Sequence, residues 1–258
     1  MKKINLNSSS DEYLFNLLGV ENFRKDSSSR LRHYFNFIRE NESKLDGNIW
    51  EFGVFKGASL IATALLLKEI GSNKKVYGMD SFSGFPSYDE MDSLEQFSLK
   101  CPLVFSEDFC KKANQSHEIV EYNSKIQAQA NNISTSGTFN DTSLEFVNKK
   151  IEDFGLDNII LIEGPFENTI PSIEDSSAEK IFAANIDCDL YLGYKIALQF
   201  CWKSLIHKGF IHLDEYYSLK FPGAKIATDE FCSLQNMRPT KLDSRVGEFE
   251  RWAIIKSD

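Results

Sequence analysis

Residues 48–80 read NIWEFGVFKGASLIATALLLKEIGSNKKVYGMD. A short apolar run stands at each end, and between them lie a glycine-containing turn and a stretch with helical composition. A strand, a turn, a helix and a second strand in this order form a βαβ unit, whose two strands lie parallel in one sheet. This stretch therefore predicts the start of a parallel α/β fold.

The same alternation continues through most of the chain. Further strand-like runs occur at residues 158–164, 181–189 and 209–216, with helical stretches at 194–206 and 223–235. We expect WAIIK, residues 252–256, to end the sheet as an edge strand. Such alternation is typical of a doubly wound α/β fold, in which helices cover both faces of a mostly parallel sheet.

Two segments fall outside this alternation. Within residues 1–45, apolar residues recur at helical spacing and predict two amphipathic helices ahead of the main fold. Residues 88–146 are charged and rich in Ser and Asn, without clear strands. A segment this long predicts helices of its own and a lid beside the ligand site, with a disordered loop over 127–141 as the alternative. The whole chain, 1–258, then forms one domain.

Composition limits the possible functions. The 258 residues carry 29 basic and 38 acidic side chains, a net charge of −9, which argues against binding to nucleic acid phosphates. The five cysteines form no CxxC pair, so neither a disulfide framework nor a zinc site is indicated. No apolar stretch reaches the length of a membrane helix, and no apolar segment follows the N-terminal lysines. We therefore expect a cytoplasmic protein without membrane insertion.

Acidic residues end the first two predicted strands. Ligands of parallel α/β sheets bind outside the carboxyl ends of the strands, so Glu51 and Asp80 are expected at a ligand site. A buried Glu51 needs a cationic partner, such as the ammonium of an amino acid, and Asp80 is placed to accept ribose hydroxyls. The structural alternatives are a turn carboxylate for Glu51 and a helix N-cap for Asp80.

Later strands also end in acidic residues. Asp187 follows the fourth predicted strand, and Asp214 and Glu215 follow the fifth. If both strands point the same way, these carboxylates meet at one rim of the sheet, where they require a cation. Oxygen ligands without a nearby thiolate or histidine pair suit Mg²⁺ or a similar divalent cation. Helix capping is the alternative role for such residues.

Four stretches resemble a known family. EFGVFKGAS, MDSFSGFP, NIDCDLY and LDEY begin at residues 51, 79, 185 and 213. In order and spacing they resemble ECGVWRGGS, DSFEGLP, DGDLYEST and DDY of the macrocin O-methyltransferase family. Its members are small-molecule methyltransferases that use S-adenosylmethionine and a divalent metal. The resemblance runs from Ile49 to Phe231 and implies a Rossmann-like, mostly parallel seven-stranded sheet of the class I methyltransferase type.

The resemblance also implies roles for the matching residues. The expected metal ligands are Asp187, Asp214 and Glu215. Asp187 is also the expected general base, and His212, two residues before Asp214, is a second catalytic candidate or a core histidine. The expected S-adenosylmethionine-binding residues are Glu51, Gly53, Gly57, Ser59, Asp80, Ser81, Phe82, Glu163, Gly164 and Cys188.

This chain differs from the quoted sequence motifs of the family in two places near the expected metal site. Glu215 stands where a second Asp is usual; it still offers oxygen, but its longer side chain changes the geometry. YLGYK, residues 191–195, stands where Tyr-Glu-Ser-Thr is usual. Both departures lie next to expected metal ligands.

The function implied is methyl transfer from S-adenosylmethionine to a hydroxyl of a small molecule. The expected acceptor is a sugar of a natural product or surface glycan, and a phenol is the alternative. A second hypothesis is a non-catalytic S-adenosylmethionine-binding protein. A nicotinamide-dependent oxidoreductase is disfavoured because the first turn lacks the GxGxxG spacing. We also expect a homo-oligomer in which the N-terminal helices pack over a neighbour's site.

Overall fold

The structure is a computed structural model that describes residues 12–25, 27–174 and 180–256. Its strands are β1 (Asn48–Phe52), β2 (Val76–Asp80), β3 (Ile159–Glu163), β4 (Ile181–Ile186), β5 (Leu205–Leu213), β6 (Thr240–Leu242) and β7 (Arg251–Ile255). Its helices are α1 (Glu12–Leu18), α2 (Arg32–Asn41), α3 (Ala58–Glu69), α4 (Gln96–Leu99), α5 (Glu107–Ser124), α6 (Leu144–Phe154), α7 (Phe166–Glu174), α8 (Tyr191–Ser204) and α9 (Pro222–Leu234). In these three ranges, no helix is both long and apolar enough to span a membrane.

All seven strands belong to one sheet in the order β3-β2-β1-β4-β5-β7-β6. The first five pair in parallel, whereas β7 runs antiparallel to both β5 and β6. The prediction of a doubly wound, mostly parallel seven-stranded sheet is therefore confirmed. The edge position predicted for WAIIK is wrong, because β7 lies between β5 and β6. The edge strand is β6, whose three residues are too few to show a strand pattern in the sequence.

Helices cover both faces of the sheet. Along β1, successive side chains point to opposite faces, as in any strand. Ile49 joins a buried cluster that includes residues of α2 and α3. Its neighbour Trp50 joins a second cluster that includes residues of α8 and α9. Two cores on opposite faces explain why the buried strands read as continuous apolar runs rather than alternating ones.

Both predicted N-terminal helices are present as α1 and α2. Tyr34, Phe35 and Ile38 of α2 are fully buried with residues of the sheet, in the same cluster as Phe15 of α1. The segment thus packs against its own chain. Of the predicted N-terminal extension, residues 1–11 lie outside the described part. The packing of these helices over a neighbour's site remains a prediction.

The segment 88–146 contains helices, as its length suggested. A 3-10 turn at Glu90–Asp92 is followed by α4, by the 18-residue α5 and by the start of α6. Ser106 caps α5 by accepting the Phe109 N–H on its side chain. The stretch 127–141 forms turns, and Phe139 within it lines the cavity described below.

Candidate active site

A cavity opens at the carboxyl ends of β1 to β4. After β1, the chain adds β2 and β3 on one side of that strand and then returns to place β4 on its other side. The strand order therefore reverses between β1 and β4. Ligands of doubly wound folds bind at this switch point. The walls come from the turns after the four strands and from the segment beyond β2, namely residues 53–56, 80–81, 84–87, 164–167 and 187–190, with Phe139.

Two glycines shape the turn after β1. Gly53 has φ +91°, and a Cβ built there would lie 1.8 Å from the carbonyl oxygen of Asp187. The Asp187 N–H donates to Phe52 O at 2.9 Å, which holds the two strand ends together. Gly57 precedes α3 with φ +75°. The absence of side chains therefore lets the first turn cross directly over Asp187.

Glu51 lies beneath this turn rather than in the cavity wall. Its side chain is fully buried on the α3 side of the sheet. Its carboxyl accepts a hydrogen bond from Ser59 Oγ at 2.8 Å and another from Asn185 Nδ2 at 3.4 Å. Burial raises the pKa of Glu51 to about 8, so the group is largely protonated at neutral pH. Ser59, in contrast, lines the cavity.

Asp80 joins the turns after β1 and β2. Its Oδ2 accepts the backbone N–H groups of Val54 at 2.7 Å and Phe55 at 2.8 Å. Its Oδ1 accepts the Phe82 N–H at 2.7 Å. A carboxylate has about four lone-pair sites, so three are already used within the protein. Asp80 lines the cavity and also organises the turn next to it.

The other predicted cofactor residues divide into two groups. Ser81, Gly164 and Cys188 line the cavity. Phe82 is buried with φ +51° and Glu163 is exposed, and neither of these two side chains forms part of the wall. The roles of all these residues in cofactor binding remain predictions.

Three carboxylates converge beside the cavity. Ile186 of β4 pairs with Leu213 of β5, so the residues that follow them emerge at the same level of the sheet. One oxygen each of Asp187, Asp214 and Glu215 lies within 4.8 Å of the others. Asp187 belongs both to this cluster and to the cavity wall. The predicted convergence of acidic strand ends is therefore present in the structure.

Arg30 bridges two of the three carboxylates of this cluster, Asp187 and Asp214. It lies between α1 and α2 and brings its guanidinium within 2.6 Å of Asp187 Oδ2. It also forms an ion pair with Asp214 and a third one, at 3.2 Å, with Glu21. The sequence carries no signal for this contact, because Arg30 follows three serines and is 157 positions from Asp187 in the chain.

The cluster perturbs the protonation of each carboxyl. Burial raises the pKa of Asp187, and Arg30 opposes that rise. The pKa of Glu215 is raised well above its usual value by burial and then by the negative charges of Asp187 and Asp189. Burial would also raise the pKa of Asp214, but the Arg30 guanidinium holds it well below its usual range. The cluster thus requires positive charge for its carboxyls to ionise together.

His212 lies behind Asp214 and does not line the cavity. Its ring is fully buried, and Nε2 is 3.6 Å from Asp214 Oδ1, beyond hydrogen-bond distance. Burial lowers the pKa of His212, which favours the neutral imidazole. The ring lies beside Tyr34, with the centroids 6.3 Å apart. From this position His212 can act on the cavity only indirectly, through Asp214.

The residues present fit a divalent metal ion. Carboxylate oxygens are the ligands that Mg²⁺ takes in proteins. Asp214 Oδ1 is buried and accepts no hydrogen bond from the described residues, with His212 Nε2 3.6 Å away, so it retains coordination capacity. The guanidinium of Arg30 pairs with two of the three carboxylates, so the cluster already accommodates a positive charge beside them.

Strand order, parallel pairing and an antiparallel seventh strand define the Rossmann-like class I methyltransferase fold. The family model described as Macrocin-O-methyltransferase (TylF) matches residues 27–127 and 116–244. The chain therefore belongs to the macrocin O-methyltransferase family and is an O-methyltransferase. No curated protein is significantly similar to it in sequence.

Solved structures show the same fold. The O-methyltransferase NovP is 16% identical, with 89% of this chain and 80% of NovP covered and a TM-score of 0.62. The calicheamicin methyltransferase CalS11 is 18% identical, with 99% and 96% covered and a TM-score of 0.61. Its apo form is described as a TDP-rhamnose 3′-O-methyltransferase. A Bacillus cereus O-methyltransferase in complex with SAH is 13% identical, with 95% and 90% covered and a TM-score of 0.50.

Proposed function

We propose that this enzyme transfers the methyl group of S-adenosylmethionine to a sugar hydroxyl with the help of Mg²⁺ or a similar divalent cation. The observation that carries the proposal is the convergence of Asp187, Asp214 and Glu215 beside the switch-point cavity. A cofactor site alone does not require three carboxylates at its rim. A site that must hold a cation next to the acceptor does.

The walls of the cavity support the cofactor assignment. Gly53 of the first turn lines the cavity without a side chain, and Ser59 and Asp80 place polar groups along it. Beyond its three backbone donors, Asp80 has a long contact of 3.5 Å with Ser81 Oγ, whose hydroxyl donates to Gly84 O at 2.6 Å, so Asp80 retains acceptor capacity for a ribose hydroxyl. S-adenosylmethionine, when bound, supplies an activated methyl group on its sulfonium. The protein's part is therefore to orient the acceptor and take up its proton.

We assign the uptake of that proton to Asp187. It is shared by the cavity wall and the carboxylate cluster, so it reaches both the acceptor site and the metal site. Its pKa, raised by burial, makes its carboxylate a better proton acceptor than an exposed aspartate. A divalent cation held by Asp187, Asp214 and Glu215 would lower the pKa of the acceptor hydroxyl. His212 lies behind Asp214, outside the cavity wall.

A sugar is the acceptor class we favour. Two neighbouring hydroxyls would match both a divalent cation and the adjacent base, and a sugar presents such pairs. CalS11, which has the same fold, is described as acting on TDP-rhamnose. The segment 84–87 and Phe139 line the cavity on the side of the 88–146 segment, which supports our interpretation of that segment as a lid.

The proposal is tested by calorimetric titration of S-adenosylmethionine into metal-free protein, followed by titration of Mg²⁺. We expect the cofactor to bind to the unaltered protein and to Asp187→Asn, and we expect Asp187→Asn to lose the Mg²⁺ signal. Transfer of labelled methyl groups to a panel of sugars and catechols then identifies the acceptor. Absence of cofactor binding would refute the cofactor assignment. Turnover of catechols alone would refute the sugar assignment.

A further inference from the structure

Arg30 gives the carboxylate cluster a cation from within the chain. Its guanidinium contacts Asp187, Asp214 and Glu21, and the side chain is 32% exposed. The side chains of Asp187 and Asp214 are 19% and 13% exposed. Partly desolvated carboxylates this close together repel one another unless a positive charge lies between them. Arg30 supplies that charge in the structure.

The guanidinium and a metal ion would draw on the same two carboxyl groups. Arg30 uses Oδ2 of Asp187 and Oδ2 of Asp214, and both residues offer their carboxylate oxygens to the metal site. A metal ion bound between them would meet the positive charge of Arg30 at contact distance. Two cations at one position repel strongly in a partly buried site. Occupancy by Arg30 and occupancy by metal therefore exclude each other.

Glu21 gives the displaced side chain a place to go. It is 3.2 Å from Arg30 Nε and lies on the same connection between α1 and α2. Its backbone N–H donates to Ala58 O, and its carboxylate accepts from Ser29 Oγ at 2.8 Å. The acceptor for Arg30 is thus fixed to the body of the protein. A change of the Arg30 rotamer releases the cluster without moving this connection.

We propose that Arg30 is the resident counter-ion of the cluster formed by Asp187, Asp214 and Glu215, and that it competes directly with the divalent cation. Metal binding then requires the guanidinium to leave Asp187 and Asp214 while its contact with Glu21 is kept. This inference rests on the proposed function, because it concerns the same metal site. It makes Arg30 a residue that sets the metal affinity of the enzyme.

The size of the effect follows from mass action. Metal binds only the protein molecules in which Arg30 has left the cluster. Its apparent affinity is therefore its intrinsic affinity multiplied by the fraction of molecules in that state. If Arg30 occupies the cluster about 90% of the time, its removal tightens metal binding about tenfold. A lysine at this position reaches one carboxylate but lacks the planar fork that bridges two. We therefore expect the metal affinity of Arg30→Lys to lie between those of the unaltered protein and Arg30→Gln.

The experiment is a titration of Mn²⁺ into metal-free protein. The electron paramagnetic resonance signal of free Mn²⁺ measures how much of the ion is bound at each step. The variants are Arg30→Gln, Arg30→Lys and the control Arg32→Gln. The control removes a nearby positive charge that pairs with Glu248 instead of the cluster. We expect about tenfold tighter binding in Arg30→Gln, a smaller gain in Arg30→Lys and little change in Arg32→Gln. Thermal melting in chelator confirms that each variant is folded.

The outcomes separate this inference from the proposed function. Equal Mn²⁺ affinity in Arg30→Gln and the unaltered protein overturns the competition while leaving the metal site intact. Equal gains in Arg30→Gln and Arg32→Gln also overturn it, because they indicate a through-space charge effect. Absence of Mn²⁺ binding in every folded variant refutes the metal site itself. Tighter binding confined to the Arg30 variants supports the inference.

Discussion

Tyr194 Oη lies 2.7 Å from Glu215 Oε2 and accepts the backbone N–H of Glu215 at 2.9 Å. Tyr194 is fully buried, and Glu215 is 5% exposed. Both residues lie where the chain departs from the family motifs: Glu215 stands in place of Asp, and Tyr194 belongs to YLGYK, which stands in place of Tyr-Glu-Ser-Thr. The two departures are therefore in contact. The phenol fixes the longer acidic side chain and so compensates for its extra freedom.

This contact predicts that the two residues are energetically coupled. Tyr194→Phe removes the acceptor of the Glu215 N–H and the shorter of two hydrogen bonds to its carboxyl, the other coming from the Asp189 N–H at 3.4 Å, which should lower the free energy of unfolding by about 1–3 kcal/mol. Glu215→Asp should cost less in the Tyr194→Phe background than alone, with a coupling of about 1 kcal/mol or more. Urea denaturation of the four proteins measures the cycle. Tyr191→Phe is the control, since its hydroxyl bonds Glu230 away from the cluster. Strict additivity would show that the departures are independent.

Gly53 predicts a large effect of a single added methyl group. In Gly53→Ala the new Cβ would overlap the Asp187 carbonyl oxygen, 1.8 Å away, at a φ that alanine disfavours. Because the three nearest atoms all belong to the backbone of Asp187 and Cys188, we expect a loss of about 3 kcal/mol or more in the free energy of unfolding. Gly71→Ala is the control: it has φ +72° but nothing within 4 Å of the added Cβ, so about 1 kcal/mol is expected. Similar losses in both variants would contradict the close approach.

The sequence was sufficient to predict the parallel sheet because each strand carries its own local signal. Apolar runs such as 181–186 are bounded by turns, and the acidic residue that ends each run marks the edge where ligands bind. The convergence of Asp187 with Asp214 followed from strand direction alone. Such arguments need only the order of elements along the chain.

Contacts between distant side chains could not be predicted in this way. Arg30 reaches Asp187 across 157 positions, and nothing in its neighbourhood of serines marks it as a partner. The pairing of Tyr194 with Glu215 depends on the distance between α8 and the end of β5, which periodicity does not specify. The strand β6 was missed because its three residues carry no period.

Asp80 predicts a joint effect on folding and cofactor binding. Asp80→Asn keeps one acceptor oxygen but turns the other into an amide that faces backbone N–H donors. We expect a loss of about 3 kcal/mol in the free energy of unfolding and at least about tenfold weaker S-adenosylmethionine binding. Asp108→Asn removes the same charge from an exposed ion pair with Lys112, outside the cavity wall, and should change neither quantity. Urea denaturation and calorimetry measure both. Unchanged cofactor affinity in Asp80→Asn would contradict the ribose assignment.

Glu51 predicts a pH dependence of stability. Its pKa of about 8 in the folded protein, raised by burial, exceeds the value near 4.5 expected in the unfolded chain. The folded state therefore holds the proton more tightly, and this group's contribution to stability is complete below about pH 4.5 and is lost as the pH rises through about 8. The loss is at most about 1.4 kcal/mol per pH unit.

Glu51→Gln keeps a neutral acceptor for Ser59 Oγ but cannot ionise, so its free energy of unfolding should fall less between about pH 5 and pH 8. Urea denaturation across this range compares the two slopes. Parallel curves would show that Glu51 is ionised in the folded protein.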